Sequence, residues 1–144
     1  MRKEAFRTVV GGAALGLLAV VVVGCASKMH ARAVDPSIIP KLAGNYTGYY
    51  TGAGGSMNPA TLTIDDKGNY TMSITQTGTS TTGTVAADGG QLVFKRTGRT
   101  GPSQDRAFAS GTVDYQEAPD GSVMLTGFGH DDVGPLSVSF TKRK

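Results

Sequence analysis

Tryptophan is absent from the 144 residues, cysteine occurs once and histidine twice. A lone cysteine leaves no partner for a disulfide. Charged residues make up only 17% of the chain and aromatics 7%. The apolar stretch from about Val9 to Val23 is roughly 15 residues long, short of the ~20 that a membrane-spanning helix needs. After Cys25 no sustained helical period is present, which excludes a helical bundle. There is no Gly-X-Ser-X-Gly elbow, no pair of carboxylates spaced for acid–base work and no Ser/His/Asp constellation. Gly54-Gly55 and Gly89-Gly90 lack the strand–helix context of a phosphate loop. The chain is therefore not expected to be an enzyme, and no cofactor is expected.

What is present begins with an address. Arg2, Lys3 and Arg7 form a basic start, the apolar stretch follows, and "LLAVVVVGCASK" ends it at the single cysteine. Val22-Val23-Gly24-Cys25 resembles a bacterial lipobox: an aliphatic residue, a small or aliphatic one, a small one, then Cys. The resemblance implies that the Cys25 thiol receives a diacylglycerol, that residues 1–24 are a signal peptide cut before Cys25, and that the new amino group is acylated. It also implies the outer membrane, because Ala26 and Ser27 follow the cysteine where an Asp would favour the inner one. Each buried CH₂ contributes about 0.8 kcal/mol and one chain alone binds marginally, so two or three chains on Cys25 would anchor durably. Loss of residues 1–24 removes three of the 14 basic groups (Arg2, Lys3, Arg7) and one of the 11 acidic ones (Glu4), leaving 11 and 10. The whole-chain pI of about 9.1 thus owes much to the signal, and no nucleic-acid partner is expected.

Residues 25–43 read as the lipidated cysteine and a flexible tether. Pro36 and Pro40 break regular structure, and fully extended the segment would reach about 60 Å at ~3.4 Å per residue. Residues 44–144 then form a β domain. In "TLTIDDKGNYTMSIT", Leu62 and Ile64 alternate with Thr61 and Thr63; a turn at residues 65–68 follows; Tyr70, Met72 and Ile74 alternate with Thr71, Ser73 and Thr75. That is a hairpin with one dry and one wet face. The same reading predicts eight strands at 45–51, 60–65, 69–76, 81–87, 90–96, 106–115, 122–128 and 135–142. Closure removes sheet edges, so the expected fold is all-β, an antiparallel up-and-down barrel of about eight strands. A β-sandwich is the alternative. The inward set is Tyr46, Leu62, Ile64, Tyr70, Met72, Ile74, Val85, Leu92, Phe94, Val113, Tyr115, Leu125, Leu136, Val138 and Phe140. Gly-Asn-Tyr-Thr occurs at 44–47 and at 68–71, each time as a turn leading into a strand.

Gly44-Asn45-Tyr46-Thr47-Gly48 resembles the opening strand of small calycin-type barrels, the lipocalin and avidin superfamily. There the pattern is Gly-X-Trp; here Tyr46 stands in the Trp position. The resemblance implies a small barrel over 44–142. Without Trp the aromatic cage of avidins is missing, so biotin is not expected.

Up-and-down connectivity puts alternate loops at opposite ends. The short acidic loops at 65–68, 87–90 and 116–121 share an end with the tether and the C-terminus. The loops at 51–59, 76–81, 97–105 and 129–134 form the other end, the mouth. Lys95, Arg96, Arg99 and Arg106 flank the 97–105 loop and could hold an anionic partner, since Arg suits carboxylate and phosphate oxygens. His130-Asp131-Asp132 offers metal-ligand types, but adjacent residues seldom converge on one ion, and no metal is expected. The expected function is a membrane-anchored, non-catalytic binding module for a small apolar ligand in the barrel, or for an envelope protein or anionic glycan at the mouth. The alternative is a structural or interaction lipoprotein with a filled core and no small ligand.

Overall fold

The computed structural model describes residues 30–102 and 107–144. The lipobox, Cys25 and Arg106 lie outside the described residues. Eight strands make the barrel: β2 (Gly44–Thr51), β3 (Met57–Ile64), β4 (Asn69–Ile74), β5 (Thr79–Asp88), β6 (Gln91–Thr100), β7 (Phe108–Glu117), β8 (Val123–Asp131) and β9 (Pro135–Lys142). Each is antiparallel to the next, β9 returns to pair with β2, and the meander is a closed barrel. A ninth, short strand, β1 (His30–Arg32), and one helical turn, α1 (Ile39–Leu42), precede it.

The alternating pattern explains the wall. Leu62, Ile64, Tyr70, Met72 and Ile74 are buried, while Thr61, Thr63 and Thr71 face outward. The turn joining β3 to β4 is closed by Asp65, whose carboxylate accepts the backbone N–H groups of Lys67 (2.9 Å) and Asn69 (2.8 Å). Gly68 supplies the positive φ (84°) that this reversal needs. All fifteen residues expected to point inward are buried. An apolar inside with a hydroxyl-rich outside is the reverse of a barrel that spans a membrane, which carries its apolar band outside. Among the described residues no helix is long and apolar enough to cross one either.

Strand ends differ from expectation where simple alternation fails. β3 starts at Met57 and runs through Pro59. The Pro59 carbonyl accepts from Thr75 N–H (3.1 Å) beyond the last residue of β4. The missing N–H of Pro59 therefore faces a side where its neighbour has already ended, which a strand proline tolerates. Bulges reset the phase of two strands. One register shift lies at Thr82/Gly83 opposite Arg96 and Gly98, the other between Phe108 and Ser110.

Glycines bring the wall close together. An added Cβ at Gly83 would lie 2.6 Å from the Tyr70 ring; at Gly111 and Gly129 it would lie 3.1 Å from the Phe108 ring. The missing side chains make room for these rings. Tyr70, Phe94 and Phe108 cluster with centroids 5.2, 6.4 and 6.3 Å apart, mostly tilted or edge-on, the arrangement aromatic quadrupoles favour. Backbone also crowds these three positions, and at Gly127 the nearest atoms are all backbone: its Cβ would lie 2.1 Å from the Thr112 carbonyl oxygen and 2.7 Å from Val113 Cα. Gly127→Ala must push β8 from β7 and should cost about 2 kcal/mol or more, in the range of overpacked cores. Gly54→Ala, with nothing within 4 Å, should stay within about 0.5 kcal/mol. Urea midpoints check both, and equal midpoints would remove the close-approach argument.

The segment expected to be a tether is largely docked. β1 pairs with β7, His30 opposite Glu117 and Arg32 opposite Tyr115. It covers the edge of β7 that β6 leaves open, since β6 pairs only with Lys95-to-Leu92 partners Ser110 to Val113. Val34 N–H donates to the Gly90 carbonyl (3.1 Å), and residues 36–42 then cross the closed end. Asp35 caps a 3-10 turn at Pro36–Ile38 by accepting Ser37 N–H at 2.8 Å. Leu42 is fully buried and Ile38 and Ile39 pack against the core. The Tyr46 hydroxyl donates to the Leu42 carbonyl (2.8 Å), and Lys142 Nζ donates to the carbonyls of Lys41 (3.1 Å) and Ala43 (2.9 Å). Burial pushes the Lys142 ammonium below its usual pKa. The physical reason for docking is the apolar set Ile38, Ile39 and Leu42, which a helical turn presents to the barrel floor.

Candidate functional site

The four basic residues do not form one loop patch. Lys95 and Arg96 are consecutive strand residues, so they face opposite sides: Lys95 pairs with exposed Thr84 and points outward, while Arg96 pairs with buried Gly83. Plain alternation would turn Arg99 outward as well. The bulge inserts one residue on β6 at Thr97, and Arg99 then pairs with buried Thr81 on the same side as Arg96. Gly98 fits there because an added Cβ would lie 2.7 Å from the Thr82 hydroxyl. β6 thus runs on to Thr100, and Arg96 and Arg99 are strand residues at the mouth rather than loop residues. Arg106 lies outside the described residues.

Both guanidiniums meet one carboxylate. Arg96 binds Asp132 with both amino groups, at 2.9 and 2.6 Å, and Arg99 Nη1 reaches the same side chain at 2.8 Å. Arg96 also donates to the Ala107 carbonyl (3.1 Å) and Arg99 to that of Pro102 (2.8 Å). Two guanidiniums thus share one carboxylate, while the neighbouring Asp131 carboxylate is turned to Tyr50. The Arg96 guanidinium, bonded to both oxygens and assisted by Arg99, holds the Asp132 carboxyl below its ordinary pKa of 3.8. A carboxyl lowered on folding adds stability that is present above the unfolded value and is lost as pH falls through the folded one. Asp132 is 37% exposed, so solvent screens the pairing and the stability effect is small. The expected result is a carboxyl chemical-shift midpoint for Asp132 below 3.8 that moves up in the double variant Arg96→Gln/Arg99→Gln; an unmoved midpoint contradicts the pairing.

The turn after β8 aims Asp132. Asp131 is 5% exposed. Its Oδ1 accepts the N–H groups of Val133 and Gly134, each at 2.8 Å, and its Oδ2 accepts the Tyr50 hydroxyl at 2.5 Å. His130 points out of the barrel, with Nε2 2.8 Å from Ser110 Oγ. The three consecutive side chains expected in one loop therefore leave in three directions, two of them from strand β8. Among the described residues no three His, Cys, Asp or Glu side chains converge as metal ligands would. The Ser110–His130 pair sits on the outer wall, while Asp131 bonds Tyr50 and Asp132 bonds the arginines.

Among the described residues the barrel interior is filled by side chains. The void between Leu62, Met72, Phe94, Leu125, Val138 and Phe140 has a volume of about 10 Å³. That is about one water's worth, against the roughly 300–1,000 Å³ of a small-molecule pocket. The Tyr70 hydroxyl is buried here without a hydrogen-bond partner among the described residues, and burial pushes its pKa up to about 12. Outside, an open groove of about 480 Å³ runs past Thr47, Tyr49, Pro59, Thr61, Ser139 and Thr141. Among the described residues Phe128 (77%), Val133 (65%), Met57 (61%) and Tyr49 (47%) are the large apolar ones left exposed.

Comparison of the chain with protein-family models, with curated proteins and with solved structures returns no match.

Sequence reasoning missed Tyr50 and Phe108, and it grouped Asp131 with His130 and Asp132 instead of with Tyr50. Tyr50 follows from Tyr46 by alternation and was within reach. Phe108 was not, because the bulge before Ser110 reverses its phase.

Proposed function

We propose that the protein is an outer-membrane-anchored lipoprotein whose barrel is a non-catalytic interaction module, working through its outer surface at the mouth and holding no small ligand inside. The observation that carries this reading is the filled interior, about 10 Å³ of void against a ring of aromatic and aliphatic side chains. Barrels of eight strands can be filled by side chains or can hold one ligand; interior glycines here admit Tyr70 and Phe108, which favours the filled form. The anchor is Cys25, supported by the basic start, the apolar length and Val22-Val23-Gly24 before it. The partner is an anionic envelope macromolecule, an acidic glycan or the acidic face of a protein, met by Arg96 and Arg99 in exchange for Asp132. Lys95 lies on the other face of the same strand and contributes field without contact, and Arg106 completes the basic set by sequence.

Fluorescently labelled polygalacturonate serves as the probe polyanion. Binding should weaken from 50 mM to 500 mM salt, as screened charges require. Asp132→Asn removes the competing carboxylate and should tighten binding roughly fivefold, equivalent to about 1 kcal/mol for a screened unit charge at contact. Arg96→Gln/Arg99→Gln should abolish it. Binding that ignores both substitutions moves the partner away from the mouth.

A further inference from the structure

We infer that the closed end of the barrel is held near the lipid leaflet on a leash too short for the barrel to turn over and stand on its mouth, with β1 and α1 as a built-in spacer. This rests on the lipoprotein reading of Cys25. Read from sequence, the tether runs to residue 43 and reaches about 60 Å. In the structure β1 places His30 opposite Glu117, the last residue of β7. Only five steps separate Cys25 from His30, about 17 Å when fully extended. Strands of this length stand roughly 20 Å tall once tilted in a barrel. Because β1 runs antiparallel to β7, His30 lies at the rim of the closed end, beside Glu117.

The floor is bolted as well as placed. Val34 is bonded to Gly90, Leu42 is buried, and Lys142 ties the carbonyls of Lys41 and Ala43 to the last strand. The leash therefore cannot lengthen without losing these contacts. Among the described residues the exposed charges at that end balance: Arg32, Lys41, Lys67, Arg143 and Lys144 against Asp35, Asp65, Asp66, Asp88 and Asp120. A balanced face neither seeks nor avoids anionic headgroups, so orientation comes from the leash and persists in high salt.

The test uses the full chain expressed in a bacterium, purified from membranes and reconstituted in vesicles whose headgroups carry an energy-transfer acceptor. A fluorescent amino acid replaces Asp66 at the closed end or Ser56 at the mouth. Transfer from position 66 should exceed that from position 56 at least about twofold, given the ~20 Å separation of the ends, and should not change with salt. Inserting about 15 Gly/Ser residues between Ser27 and Lys28 makes a flexible leash of some 20 Å or more and should bring the two signals together. Equal transfer from both positions in the unmodified chain overturns the inference. The intact mass decides the anchor separately. Without acyl mass the lipoprotein reading fails, and the same geometry is then tested by coupling the Cys25 thiol to a maleimide lipid.

Discussion

Phe94→Ala is expected to cost about 3–5 kcal/mol, the range for truncating a buried aromatic. Phe94 is 1% exposed, and its ring stands 5.2 Å from Tyr70 and 6.3 Å from Phe108. The space it leaves cannot collapse easily. Its neighbours are anchored on a closed ring of paired strands, and Tyr70 and Phe108 are already seated over glycines. Domains of this size are stable by only about 5–15 kcal/mol, so the variant should lose roughly a fifth of its stability or more. Lys95→Ala, one residue further along the strand and pointing outward, should stay within about 0.5 kcal/mol. Urea unfolding of the two proteins decides the matter, and a loss under 1 kcal/mol for Phe94→Ala contradicts the tightly filled interior.

Cys25→Ser is expected to abolish both acylation and processing, leaving a precursor that still carries residues 1–24. A hydroxyl cannot replace the thiol as acyl acceptor, and in the lipobox pattern cleavage follows lipidation. Labelled palmitate should enter the wild type and not the variant, and the variant should migrate as the larger species. Equal labelling of both removes the lipoprotein assignment and the envelope address with it, while the barrel is untouched.

The wall of the barrel was legible because strand alternation is a local rule. Leu62, Ile64, Tyr70, Met72 and Ile74 follow it without interruption, and a turn closed by Asp65 and Gly68 can be read from its residue types alone. The mouth was less legible because it depends on bulges. Nothing local in Lys95-Arg96-Thr97-Gly98-Arg99 says that Thr97 is the extra residue, yet that one insertion brings Arg99 alongside Arg96 and leaves Lys95 outside. The partner of both arginines, Asp132, is distant in the chain and was grouped with His130 and Asp131 by adjacency. Alternation and the turn at Asp131 separate the three. The N-terminal segment was hidden by its prolines. Pro36 and Pro40 break long helices but sit comfortably in the first turn of short ones, and Ile38 and Leu42, four residues apart, carry the apolar spacing of one helical face.

The central claim is that nothing small binds inside the barrel and that its work is done on the outside. The most direct measurement is a methyl-detected NMR titration of the protein with dodecanoate, an apolar chain of the kind that calycin-type barrels would admit. The account predicts that the methyl signals of Leu62, Met72, Leu125 and Val138, which line the ~10 Å³ void, stay in place through the titration. Saturable shifts of those methyls at one ligand per chain would contradict it.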